Sequence, residues 1–314
     1  MAVEYIQLMS LVEGHQSQSL VRSKTGGWQA MPRSVVCFLT VLLAAFGPAC
    51  ANDNDAVRDD TPTKRVVLIQ GICSSTPALN DDESWINVVK PILSGKYGLV
   101  DLPTGDPDDQ VIEFGYSVNG WDEPYQPADT LRQLRTASVS FGDLLSAYPD
   151  SEFFVIGHSL GGLVALGGTA LYGQSGAVSA VVTVSSPIAG YRSADLELSG
   201  RAIELFACRQ LSTGGELSPV WSDLASGNPF LDEIGQADWS GTRVVTVANY
   251  LDRVVAADLA VLEPVFKAMC FDEGQDGFFE LNHDTLLVTP EFADELLSVL
   301  FGMEESTRPC GSSS

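Results

Sequence analysis

A serine with a glycine two residues away on each side is the first feature able to do chemistry: Gly157-His158-Ser159-Leu160-Gly161-Gly162. The apolar run Phe153–Ile156 precedes it, and a Gly- and Ala-rich stretch of helical character, Leu160–Tyr172, follows. This is G-x-S-x-G between a strand and a helix. In that context the motif forms a tight, strained turn that lifts the serine hydroxyl above a sheet. Side chains at 157 and 161 would collide with such a turn, so both positions are glycine. The first amides of the following helix face any anion that forms there. Three fixed positions arise by chance roughly 0.1–0.2 times in a chain of this size. The strand before, the helix after and Gly162 therefore carry the argument, not the pentapeptide.

A nucleophilic serine needs a base, and the chain holds three histidines, His15, His158 and His283. His15 lies in an N-terminal extension. His158 adjoins the serine within the turn, where its side chain is expected to point away from Ser159. His283, in Leu281-Asn282-His283-Asp284-Thr285, is left as the base; the plain alternative is a solvated loop histidine. A carboxylate must then hold the imidazole's tautomer and stabilise its charged form. Asp252, Asp258 and Asp284 are the candidates considered, in a chain where any one aspartate could simply be solvated.

The elements that must position these groups alternate. Arg65–Gln70 reads as a buried strand ending at Gly71, and Trp85, Val88, Val89, Ile92 and Leu93 recur at helical spacing. Val111–Phe114 is a second strand, followed by a helix marked by Leu131, Leu134, Val139, Phe141, Leu144 and Leu145. Phe153–Ile156, Ala180–Val184 and Arg243–Ala248 are further strands, and Phe278–Leu281 a short sixth. A last helix reaches Phe301, with Thr289 as N-cap and Pro290 in the first turn. Near-continuous apolar strands alternating with helices predict an α/β fold, a mostly parallel central sheet with helices on both faces.

One stretch, about 190–241, breaks the rhythm. It has no clear strand, helical pieces around Ala202–Cys208 and Val220–Ile234, and the apolar residues Pro219, Val220, Trp221, Leu224, Pro229, Phe230, Leu231 and Ile234. It reads as a helical lid or cap insertion over an apolar site, or as segments that simply pack onto the sheet.

The N-terminus reads differently. Residues 1–30 lack a sustained apolar period. Met31, Arg33, the apolar run Val35–Phe46 and Ala49-Cys50-Ala51 then follow the order of a secretory signal with an A-x-A cleavage site. The division expected is 1–51 extension and signal peptide, 52–64 polar linker, 65–303 catalytic domain with its insertion, and 304–314 tail. Gly47-Pro48-Ala49-Cys50 loosely resembles a lipoprotein box, which offers a lipid anchor through Cys50 as the alternative to a secreted, periplasmic or extracellular protein. Export makes Cys73, Cys208, Cys270 and Cys310 candidates for disulfides. The preferred pairing is Cys208–Cys270, with Cys73 and Cys310 paired or free.

Composition excludes several classes. With 41 acidic against 17 basic side chains the net charge is −24. No basic stripe interrupts that field, so nucleic acid is not a partner. Apolar residues at 45% are too many for a disordered chain. No run of 18 apolar residues suggests a multi-span membrane protein. No C-x-x-C spacing occurs, so no metal site is expected.

Val155-Ile156-Gly157-His158-Ser159-Leu160-Gly161-Gly162 resembles the nucleophile elbow of α/β-hydrolase lipases and esterases, departing only at Phe153, where an aliphatic residue is usual. Gln70-Gly71-Ile72 is similar to the His-Gly-x oxyanion loop of bacterial lipases, with Gln in place of His. Ser185-Ser186-Pro187-Ile188-Ala189-Gly190 is also shared with bacterial lipases and the GPI-inositol deacylase-like group, and the resemblance spans 65–301. It implies the chain order serine, acid, histidine. Asn249-Tyr250-Leu251-Asp252-Arg253-Val254-Val255 is similar to the family's Asp-x-Val-Val acid loop, which implies Asp252 as the acid. It also implies the backbone amides of Leu160 and Ile72 as the oxyanion hole. The expected activity is ester hydrolysis through an acyl-enzyme with no cofactor. A lipid or long-chain acyl ester is the leading substrate, which would bring peripheral contact with a lipid surface. The alternatives are a short-chain carboxylesterase, a thioesterase or amidase, and a non-catalytic binding module of the same fold.

Overall fold

A computed structural model of the chain describes residues 61–74, 84–103, 105–173, 176–192, 200, 217–262, 265–274, 282–303, 308 and 310. The chain divides into two units, Met1–Arg58 and Asp59–Ser314, and every described residue belongs to the second. The signal segment with Cys37 and Cys50, the helical piece Ala202–Cys208 and the expected strand Phe278–Leu281 lie outside the described residues.

Six strands, β1 (Thr63–Ile69), β2 (Val111–Glu113), β3 (Ser151–His158), β4 (Val178–Val184), β5 (Arg243–Asn249) and β6 (Lys267–Phe271), form one sheet. Its order is β2-β1-β3-β4-β5-β6, and every neighbouring pair is parallel. All six carboxyl ends therefore open on one rim, where chemistry in open α/β sheets is assembled. β1 starts within the stretch read as linker, at Thr63, because Thr63 and Lys64 continue the ladder opposite Ser151 and Glu152.

Alternate side chains enter two cores. Val67, Ile69, Val155 and Val181 face one side, packed by α2 (Leu134–Ala147), α3 (Leu160–Gly167) and α5 (Pro229–Gln236). Val66, Leu68, Ile156, Val182 and Val245 face the other, against α1 (Trp85–Tyr97) and α8 (Pro290–Leu300). Burial on both faces is why these strands read as unbroken apolar runs. Thr289 does occupy the N-cap position of α8, but its side chain makes no capping bond.

The sixth strand is one that the sequence reading did not include. Lys267-Ala-Met-Cys-Phe contains no β-branched residue and begins with lysine, so it carries little strand signal. Pairing with β5, from Val245 opposite Lys267 to Asn249 opposite Phe271, makes it a strand. The cysteine pairing is corrected too. Cys270 is bonded to Cys310, not Cys208, and the Cys270 amide also donates to the Arg308 carbonyl at 3.0 Å. The tail is thus tied to the edge strand, and Cys73 is likewise in a disulfide.

In the insertion, α4 (Val220–Asp223) and α5 are separate because Asn228 starts a new helix: its Oδ1 accepts from Phe230 N at 2.8 Å, with Pro229 in the first turn. Phe230, Leu231 and Ile234 are buried.

Close backbone approach fixes the glycines of the serine turn. A Cβ on Gly161 would be driven into the carbonyls of Ile69 and Gln70. Gly161→Ala should therefore destabilise the protein by roughly 3 kcal/mol, the upper part of the usual range for overpacking, read as a lower urea midpoint. An unchanged midpoint would mean that β1 and α3 are not packed this closely.

Candidate active site

Ser159 stands between β3 and α3 with φ 53° and ψ −123°. A non-glycine residue there is strained, and such strain persists only where the surroundings over-determine it. Here the Ser159 amide donates to Val184 O of β4 at 2.8 Å, and α3 starts at once, Gly162 N bonding Ser159 O at 3.1 Å. The hydroxyl is thereby raised above the carboxyl ends of the strands.

Asp252 follows β5 and His283 precedes α7 (Thr285–Val288), and the two meet. His283 Nδ1 donates to Asp252 Oδ2 at 2.8 Å. The other carboxylate oxygen accepts from Val254 N at 2.8 Å and Val255 N at 3.0 Å, with the side chain fully buried. Because a carboxylate only accepts, Nδ1 carries the proton and Nε2 keeps its lone pair. Asp258 lies in α6 (Ala257–Ala260), and Asp284 is at the N-cap of α7, with no capping bond from its side chain. Ser159 Oγ has no hydrogen-bond partner among the described residues. In ligand-free sites such catalytic bonds are often long and tighten when substrate binds.

Ile72 and Leu160 line the same small cavity as Ser159, with Pro187, Tyr191, Trp221, Leu224 and Val254. Leu160 N is the first amide of α3, where no carbonyl of the preceding turn can satisfy it. A strained serine between the third strand and its helix, with an acid–imidazole pair from the segments after β5 and β6, belongs to one architecture. The chain has the α/β-hydrolase fold.

No family model matches the sequence, and no curated protein does. Among solved structures, the chain is similar to the propeptide form of the Bacillus licheniformis lipase BlEst2 at 12% identity, covering 82% of this chain and 53% of that one, with a TM-score of 0.49. It is similar to the mature form at 14%, covering 76% and 92%, with 0.48. An esterase from Exiguobacterium antarcticum is similar at 13%, covering 77% and 93%, with 0.44. The chain spans about half the length of the propeptide form.

Within this hydrolase fold the electrostatics follow from burial and contact. Burial by itself would lower the His283 pKa; Asp252, with Asp284 adding, outweighs it and raises it above the ordinary 6.5. Burial would raise Asp252, but the His283 ring and the Val255 amide hold it below the usual carboxylate range. His158 goes the other way, pushed down to about 4 by burial first and by His283 second. It is a neutral side chain at working pH.

Three residues had no role in the sequence reading and turn out to support the site. The His158 side chain lies against the histidine loop: its ring centroid is 4.6 Å from that of His283, and its Nε2 bonds the His283 carbonyl at 3.0 Å. The carbonyl can only accept, so Nε2 is the protonated nitrogen of His158. Asn249 Nδ2 donates to Glu273 O at 2.7 Å and Asn282 O at 3.3 Å, joining β5 to the histidine loop. Asn282 itself has φ 52°, a left-handed conformation that asparagine tolerates better than most residues. An Asn immediately before a candidate catalytic His was the one available sequence signal for that turn.

Proposed function

We propose that this chain is a serine hydrolase cleaving carboxylic esters with a small acyl group. The observation that carries the reading is the Asp252–His283 bond of 2.8 Å on the rim where the strained Ser159 turn emerges. His283 Nε2 takes the Ser159 proton as Oγ bonds to the ester carbonyl carbon. The Ile72 and Leu160 amides hold the resulting oxyanion. The tetrahedral intermediate collapses, the C–O bond to the alcohol breaks, and the imidazolium returns its proton to the departing alkoxide. Water deprotonated by the same imidazole then releases the acid and restores Ser159.

The support for a small acyl group is the limited space that the described residues leave beside Ser159. The cavity beside Ser159 measures about 10 Å³, room for one water. Trp221 is 2% exposed at its wall, and Tyr191 is pinned there by its hydroxyl, which donates to Val254 O at 3.1 Å. This favours the short-chain alternative over the lipid or long-chain ester expected from the sequence. Export through the N-terminal signal is supported by the Cys270–Cys310 bridge, since such bonds persist in oxidising compartments.

A p-nitrophenyl ester series tests the substrate. The wild-type protein should turn over acetyl and butyryl esters fastest. Trp221→Ala should move the optimum to hexanoyl or octanoyl esters, with the acetyl rate falling as the small group loses its fit. A wild-type optimum at palmitoyl would overturn the small-acyl reading, and no hydrolysis at any length would overturn the enzyme.

A further inference from the structure

We propose that Tyr125 is a positioning residue for the oxyanion hole, orienting the Ile72 amide through one hydroxyl; this rests on the ester-hydrolase reading above. The segment Gln70–Ser74 is neither helix nor strand, so its peptide planes are not set by a ladder. They are set instead by side chains from the loop between β2 and α2. Tyr125 Oη donates to Gly71 O at 2.9 Å and accepts from Ser74 N at 3.0 Å. Tyr116 Oη donates to Gln70 O at 2.6 Å, and Thr130 Oγ1 accepts from Cys73 N at 3.1 Å.

The peptide bond is planar and trans, so the Gly71 carbonyl and the Ile72 N–H point in opposite directions. Holding the carbonyl on Tyr125 aims the N–H the other way, toward the cavity that Ile72 shares with Ser159 and Leu160. The loop also runs close against the nucleophile: a Cβ on Gly71 would lie 2.8 Å from Ser159 Cβ. A small rotation of this peptide would therefore change the donor's aim at the reacting carbonyl oxygen. The two tyrosines support one another edge to face, ring centroids 5.9 Å apart at 89°. Burial keeps the Tyr125 hydroxyl well above its ordinary pKa of 10, so it remains a donor at any working pH.

Tyr125→Phe keeps the ring and removes the clamp. A misaimed donor acts on the transition state and not on the bound ester. So kcat should fall about 10-fold, short of the 10²–10³ for deleting an oxyanion donor outright, with KM within about twofold. Affinity for a trifluoromethyl ketone, which forms the tetrahedral oxyanion on serine, should fall by the same factor as kcat. Tyr97→Phe is the control: it removes a hydroxyl 3.2 Å from Ser298 Oγ, half-buried against the core on the α1 and α8 side, and should leave both values unchanged. Thermal unfolding monitored on each variant separates a clamp from a structural role. Tyr125→Phe with wild-type kcat overturns the proposal. So does a kcat loss unaccompanied by loss of ketone affinity, or one that appears only where the variant is partly unfolded. These outcomes are distinct from a wild-type protein that hydrolyses no ester, which overturns the enzyme reading and the clamp with it.

Discussion

Ser159→Ala is expected to lower kcat/KM for p-nitrophenyl acetate by roughly 10⁵-fold or more. Once the Oγ is gone no acyl-enzyme can form, and the amides of Ile72 and Leu160 can only assist direct attack by water. That residual pathway is worth roughly 10³–10⁴ over the uncatalysed reaction. The variant should also lose covalent labelling by a fluorophosphonate, whereas the wild-type protein gains the mass of one phosphonyl group on Ser159. The fold should be retained, because an alanine at φ 53° is strained much as serine is and the Ser159 amide bond to Val184 O does not involve the side chain. Activity surviving the substitution at every acyl length would refute Ser159 as nucleophile.

Asp252→Asn should cost about 10⁴-fold in kcat and move the acidic limb of the pH profile. With neutral His283 as the proposed base, activity should rise with pH as the imidazole loses its proton. In the wild-type protein the pKa is raised, which places the limb above 6.5. In the variant the carboxylate's attraction is gone while burial remains, so the limb of the residual activity should shift to lower pH. The amide also presents a donor where Nδ1–H needs an acceptor, which favours the tautomer with the proton on Nε2 and removes the base. Initial rates across pH 5 to about 9 test both parts. An unmoved limb would mean that Asp252 does not set the charge on His283.

Several features were legible because they are local. The strand–turn–helix around Ser159 is encoded by residues within a few positions of one another, and β1, β3, β4 and β5 advertise burial on both faces. β6 was not legible, since Lys267–Phe271 becomes a strand only through β5. Asp252 and His283, 31 positions apart, are likewise bridged in space; a resemblance could suggest the pair, while composition left several aspartates open. The cysteines show the same limit: their number leaves the pairing open, and the bond to Cys310 depends on the tail returning to the sheet edge.

By itself the sequence carried the strand–turn–helix around Ser159, the parallel α/β character and the shortage of histidines that points to His283 as the candidate base, because each depends on residue type and short spacing. The tertiary structure alone decided that His158 holds the His283 loop, that Trp221 bounds the cavity and that Tyr125 reaches Gly71. Those contacts join segments distant along the chain, and a hydrogen bond or a cavity wall exists only once packing has brought its two sides together.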